Sequence, residues 1–381
     1  MNFVTYCDDN YAKYLLPQLV NISNVQKNNF IVFYLLQSRV SKKSLDLLNE
    51  CADLLPNLEF KSIEISEHLY EYNEIARGGT IANESGKLFP YEVLFLAEIH
   101  KYLPDDIDRI LYIQTGDVFL FDDISEYYDS EFNDKILTVE LSNRMYFKTK
   151  NSYYKSTDKE DFIIKHKNNT AVFNSGSMLI NLKKMRQKNY SIGYFLEIFN
   201  LFKRLLPNEK IKYQGDQAFF SVAFLGEINS LYGIDSFYNV GYRPYNSSPV
   251  SERIRYKLGL EKIAHPKIVH FDTKIKPWNL VPTFFDSGIP TRVTVSNTLS
   301  GKSDFLPIIY QEYYIRYWEF AKKTSIYNVL LHDAEIYSKA LKQNYLPSVH
   351  SGVWLRYEVE RIRNQKNDAL ELMKEIINRL E

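Results

Sequence analysis

The chain has 381 residues, with 47 Lys plus Arg against 47 Asp plus Glu, so no global field draws it to nucleic acid or anionic lipid. That length accommodates a catalytic core of roughly 250 residues and a further module. Cys7 and Cys51 are too few for a disulfide framework, the amino terminus lacks the basic and long apolar regions of a signal peptide, and no apolar run approaches the ~20 residues that span a bilayer. The expectation is a cytoplasmic location, with no membrane contact beyond a peripheral one to the inner face.

In chain order, Phe3 to Tyr6 reads as a strand and Tyr11 to Val25 as a helix with Leu15, Leu16, Leu19 and Ile22 on one face. Ile31 to Leu36 is a second strand, Ser41 to Leu55 a helix opened by a Ser cap, and Leu58 to Ile65 a third strand. Tyr91 to Leu103 is predicted as a helix and Ile110 to Ile113 as a strand. This alternation implies a mostly parallel sheet covered by helices, with ligands outside the carboxyl ends of the strands. From Val281 to Phe305 the chain is rich in Pro, Ser, Thr and Gly and marks a boundary; long helical patterns follow. The last of these places Leu355, Ile362, Ala369 and Ile376 in one heptad series and Val359, Met373 and Leu380 in another, broken by Lys366. Its apolar stripe packs on the chain's own domain, or meets a partner helix or membrane surface.

Four segments carry chemistry. Asp8-Asp9-Asn10-Tyr11-Ala12 follows the first strand, where it either caps the helix or faces a base or ribose. Gln114-Thr115-Gly116-Asp117 ends the Ile110 to Ile113 strand before Val118 to Phe121 resumes the apolar run. A carboxylate there is costly to desolvate unless it meets a cation or several donors. Asp117 suits a divalent ion bound to a diphosphate, with Gln114 offering an uncharged oxygen; the bland alternative is a turn shaped by Gly116. In Phe173 to Leu182 a buried strand opens on Asn174-Ser175-Gly176 and closes on Asn181, which can cap the next helix. Finally, Asp216-Gln217 opens a helical pattern, and His270-Phe271 leads to Lys276-Pro277-Trp278. His270 is either a near-core residue or, beside a metal, a ligand, and Lys276 can neutralise a leaving diphosphate.

In this order and spacing the segments resemble glycosyltransferase family 8, retaining enzymes that include the bacterial lipooligosaccharide α-galactosyltransferases. The likeness covers roughly residues 2 to 280. It rests on the Asp8 to Ala12 opening, the Asn174-Ser175-Gly176 to Asn181-Leu182-Lys183-Lys184 strand, the Asp216-Gln217 pair and the His270-Phe271 to Lys276-Pro277-Trp278 loop. The resemblance implies an α/β GT-A fold, Rossmann-like with a mostly parallel central sheet, over residues 1–280, and a linker with a C-terminal helical appendage over 281–381. It further implies that Asp8, Asp9 and Asn10 meet the uridine of a UDP-sugar donor, that Asn174, Ser175 and Asp216 position the sugar, and that Lys276 faces the diphosphate. Asp117 and His270, with Gln114 beside them, hold manganese or another divalent cation, and Gln217 sits near the anomeric carbon.

Three departures fall at the donor end. The family's D-x-D reads Gln114-Thr115-Gly116-Asp117, with the first acid missing and one residue inserted; its Y-x-R reads Tyr91-Glu92-Val93; and Thr273 stands where the family has Gly. Arg77, beside Gly78 and Gly79, either replaces the missing cation or lies in a solvated loop, and the aromatic-rich Asn143 to Lys167 either lines an acceptor site or is a disordered excursion. The expected activity is transfer of glucose or galactose to a glycan or glycoprotein acceptor. The rival is a catalytically silent relative that binds nucleotide or stabilises an active partner, and a sugar-binding scaffold is the remaining reading. The C-terminal helices are expected to recruit a glycoprotein, form a homo-oligomer or touch the membrane.

Overall fold

The computed structural model describes residues 1–66, 91–139, 141–146, 171–173, 175–205, 220, 224, 226–230, 237–239, 266–271, 276–281, 295–296, 303–304 and 308–349. The chain divides into two compact units, one made of Met1–Leu15, Ser23–Val118 and Asp123–Ile234, the other of Leu16–Ile22, Phe119–Asp122 and Asp235–Glu381.

The first unit is built on β1 (Asn2–Cys7), β2 (Ile31–Gln37), β3 (Leu58–Glu64) and β4 (Arg109–Ile113), preceded or linked by α1 (Asp9–Val25), α2 (Lys42–Asp53) and a 3-10 helix at Tyr91–Lys101. It continues with α3 (Ser125–Tyr128), β6 (Leu137–Val139), β7 (Leu141–Tyr146), β8 (Ala171–Phe173), β9 (Ser177–Asn181), α4 (Leu182–Lys188), α5 (Ile192–Leu205) and β10 (Ile228–Ser230), with the short strand β5 (Val118–Leu120) falling between β4 and α3. Seven strands form one sheet in the order β10-β6-β9-β4-β1-β2-β3. Every described pairing within it is parallel except those of β9, which runs antiparallel to β4 and β6. The run β4-β1-β2-β3 places a topological switch point between β1 and β4, because the chain winds from β1 to β3 on one side and then crosses to β4 on the other.

Local sequence accounts for these elements. The apolar runs of β1, β2 and β4 are buried nearly throughout, as befits parallel strands covered on both faces. Asp8 accepts from the backbone N–H of Tyr11 at 3.1 Å and so caps α1, and Ser41 caps α2 through Ser44 N–H. The predicted face Leu15, Leu16, Leu19 and Ile22 is fully buried. Asn181, which ends β9, accepts from Lys184 N–H at 2.9 Å and starts α4.

The segment predicted as a regular helix over Tyr91 to Leu103 is instead a 3-10 helix with a kink at Glu98 (φ −125°, ψ 19°). Two things favour this outcome. Leu94, Phe95, Leu96, Ala97 and Ile99 are all buried, so the segment has no solvent face for an α-helical stripe to define. The Glu98 carboxylate, itself buried, accepts from Ile192 N–H at 3.0 Å and from Lys101 Nζ at 2.6 Å, and thereby caps α5. Arg186 stitches the following loop by donating to the carbonyls of Ile107 and Pro104, both at 2.7 Å.

The second unit contains a three-stranded sheet in the order β11-β12-β5, with β11 at Phe237–Asn239 and β12 at Ile268–His270. A 3-10 turn at Pro277–Asn279 follows, then α6 (Ile308–Ala321) and α7 (Tyr327–Val349). Its core is aromatic. Phe119 meets Phe271 and Tyr317 edge-on at centroid separations of 6.0 and 5.3 Å, and Phe271 meets Tyr314 at 5.0 Å. The Asn21 side chain both donates to Leu120 C=O and accepts from Leu120 N–H, each at 2.7 Å, and so acts as a surrogate neighbouring strand for β5.

Candidate active site

In the first unit Asp8, Asp9, Asn10, Gln114, Asp117 and Ser175 lie at the carboxyl edge of the sheet, around the switch point. β1 delivers Asp8, Asp9 and Asn10; β4 delivers Gln114 to Asp117; and antiparallel β9 brings its amino end, with Ser175 and Gly176, to the same edge because Ile113 pairs with Ser177. Gln114 N–H donates to Gly176 C=O at 2.8 Å, which extends the ladder one step past the strand. Gly116 then adopts a left-handed backbone (φ 70°) that a side chain would strain. Beyond it Asp117 is only 3% exposed, whereas the Gln114 side chain is exposed.

A pair of hydroxyls not singled out from the sequence braces this edge. Thr5 Oγ1 donates to Ile113 C=O at 2.7 Å and lies 2.6 Å from Thr115 Oγ1, which donates to Tyr6 C=O at 2.5 Å. β1 is thereby joined to the Gln114–Asp117 loop across the switch point. The available signal was a buried hydroxyl inside the apolar strand Phe3 to Tyr6, since such a group needs a partner.

Burial and, after it, neighbouring carboxylates set the electrostatics here. Burial pushes the Cys7 thiol up to about 12, with the charges of Asp8 and Asp9 adding to it. The Tyr11 phenol is also raised, by burial first and then by Asp117, Tyr14 and Asp8. Both groups report a negative field at the strand exits. Asp9 is held ionised by hydrogen bonds from Ser44 and Ser41, the Ser41 N–H approaching at 2.9 Å. Asp8 also accepts from Asn10 Nδ2 at 3.1 Å. Asp8 thus caps α1, as one of the two readings of this segment has it, and Asp9 ties the start of α1 to the start of α2.

In the second unit β12 ends on His270, which is 2% exposed. Burial, and secondarily the Lys276 ammonium, lower its pKa to about 3, so the imidazole is neutral at ordinary pH. Lys276 is half-buried and donates to Phe271 C=O at 2.9 Å. Asp117 belongs to the first unit and His270 with Lys276 to the second. Asn174, Asp216, Gln217, Arg77, Thr273 and the 355–380 heptads lie outside the described residues, as does most of 143–167. Among the described residues no three His, Cys, Asp or Glu side chains gather as a metal-holding cluster, and no helix is long and apolar enough to cross a membrane.

The doubly wound sheet with its switch point is an α/β architecture, and solved glycosyltransferases of the GT-A fold share it. The WbbM bifunctional glycosyltransferase in its apo form aligns with a TM-score of 0.55 at 16% identity, covering 87% of this chain and 51% of that one. An active-site mutant of LgtC aligns at 0.50 with 18% identity, covering 73% and 89%. The galactosyltransferase LgtC in complex with donor and acceptor sugar analogues gives 0.49 with 19% identity, covering 73% and 89%. No curated protein matches the chain by sequence. Residues 2–281 match the model of glycosyl transferase family 8; the chain belongs to that family and is a sugar-transferring enzyme.

Proposed function

We propose that the protein is a retaining glycosyltransferase that moves a hexose, glucose or galactose, from a UDP-sugar to a carbohydrate or glycoprotein acceptor with the help of a divalent cation. Residues 1–280 form its catalytic domain in this reading, and 281–381 the linker and C-terminal helical domain, acting in the cytoplasm or at the inner membrane face. Family membership supports the transfer chemistry. The single observation that supports the donor class is the acidic strand edge, where Asp8 and Asp9 at Cys7, and Asp117 and Asp8 at Tyr11, add to shifts caused first by burial. An anionic diphosphate would be repelled there alone, and is accommodated when a cation lies between.

The residues suit such a group. Asp117 offers a hard carboxylate, Gln114 an uncharged oxygen and neutral His270 an imidazole nitrogen. Asp117, Gln114 and His270 would hold the ion in this reading, and manganese is the ion the family resemblance favours. A bound divalent cation neutralises charge that develops on the leaving diphosphate. Lys276 adds a second positive charge to the same oxygens. Asp8, Asp9 and Asn10, fixed by the α1 cap and by Ser41, meet the uridine. Ser175, with Asn174 and Asp216, orients the donor sugar. Gln217 lies near the anomeric carbon and is too poor a nucleophile for a covalent intermediate, so transfer proceeds on one face, the leaving phosphate taking the acceptor proton.

UDP release from a panel of UDP-sugars, measured with and without manganese, tests the assignment. The expected result is turnover of one UDP-hexose that chelator abolishes, with UDP raising the melting temperature only when manganese is present. No turnover with any donor, together with no metal-dependent stabilisation by UDP, would sink it.

A further inference from the structure

The turn that carries Lys276 is short, and two backbone bonds within it are described. Asn279 N–H donates to Lys276 C=O at 2.9 Å and Leu280 N–H to Pro277 C=O at 3.4 Å. What fixes the turn comes from far along the chain. Ser338 on α7 donates its hydroxyl to Asn279 C=O at 3.2 Å and accepts from Val281 N–H at 3.3 Å. Trp318 on α6 donates its indole N–H to Leu280 C=O at 2.8 Å. Ser338 is 4% exposed, Trp318 1% and Leu280 0%, so water cannot replace these bonds at little cost. Ser338 thus holds the backbone of Asn279, the residue whose N–H closes the turn onto the carbonyl of Lys276. Trp278, at the centre of the turn, packs against Tyr317 of α6 with ring centroids 6.3 Å apart.

We propose that Ser338 on α7 and Trp318 on α6 are positioning residues that set where the Lys276 ammonium stands. The inference rests on the reading that Lys276 meets the donor diphosphate. A lysine side chain has four rotatable bonds, and its charge acts on a phosphate only when its backbone root is held. The two helices supply that hold, so sequence beyond the family match contributes to the reaction and is more than an appended interaction module.

Full-length Ser338→Ala, Ser338→Thr, Trp318→Phe and Lys276→Ala, with the Ser338→Ala/Lys276→Ala double variant, are titrated with UDP and with uridine in the presence of manganese. Uridine lacks the diphosphate. Ser338→Ala and Trp318→Phe are expected to weaken UDP roughly five- to tenfold, with uridine affinity unchanged and Ser338→Thr restoring UDP. In the Lys276→Ala background, Ser338→Ala adds nothing further, because both act through one ammonium. Should Ser338→Ala fail to fold, Trp318→Phe decides, since it keeps an aromatic ring at the site while removing the N–H. UDP binding lost in Lys276→Ala but unaltered in the Ser338 and Trp318 variants overturns this inference alone. Equal losses for UDP and uridine overturn it too, as does a Ser338→Ala loss that persists without Lys276. UDP affinity unaffected by Lys276→Ala overturns the reading of Lys276 and takes the inference with it.

Discussion

Asp117 stands behind a glycine with a left-handed backbone, at 3% exposure, on a loop braced by Thr115. Asp117→Asn keeps the shape and removes the charge. Turnover of the preferred UDP-sugar is expected to fall by about 100-fold or more, the scale on which loss of metal-site groups acts, with a melting temperature close to that of the parent. Initial rates across a manganese titration check this; a variant with parental turnover would remove Asp117 from the site. A second buried group governs acid stability. Burial, then the Lys101 charge, lower the His100 pKa from 6.5 to about 4, so the unfolded chain takes up a proton at higher pH than the folded one. The stabilisation is therefore complete above pH 6.5 and is lost as pH falls toward 4. His100→Gln removes the titration, and the parent's stability relative to this variant is expected to fall by about 3 kcal/mol across that window, read from urea unfolding of both proteins at each pH. A constant difference would show that the imidazole is equally free to protonate in both states.

At the scale of elements, β5 is supported by a single side chain from α1. Asn21 satisfies both backbone groups of Leu120, and both residues are fully buried. Asn21→Ala leaves a buried N–H and C=O unmet, and a loss of about 3 kcal/mol is expected in denaturant unfolding. A loss under about 1 kcal/mol would mean that water or another group takes its place. The same contact illustrates the limit of reading elements from sequence. β1, β2, β3, α1 and α2 lie within two residues of where periodicity and caps put them, because each is specified by its own apolar spacing and by Asp8 or Ser41 at its start. Asn21 sits on an apolar helix face and carries no local sign that it serves a strand 99 residues away. The Tyr91–Lys101 segment reads as a helix for the converse reason, since burial on every side and the pull of Ile192 on Glu98 are invisible to a local pattern.

Over the whole molecule, balanced charge has a physical consequence. With 47 acidic and 47 basic residues and an isoelectric point near 7.1, long-range self-repulsion is weakest at neutral pH. Solubility is expected to pass through a minimum near pH 7 and to rise at pH 8.5, as measured by turbidity against concentration; a minimum displaced by a full unit or more would point to strongly shifted groups beyond those described. The composition, the βαβ alternation and the placement of polar motifs after apolar strands were all legible in the chain, because burial and capping are local demands that each segment meets with its own residues. Asp8, Gln114, Asp117 and Ser175 could be named that way, but not brought to a common edge. That required the crossover of β4 to the far side of β1 and the reversal of β9, both set by pairings between residues more than 60 positions apart. The Thr5–Thr115 brace and the Ser338 and Trp318 bonds to the Lys276 turn arise in the same way. Each joins groups with no common local pattern, and only packing decides which buried donor meets which buried acceptor.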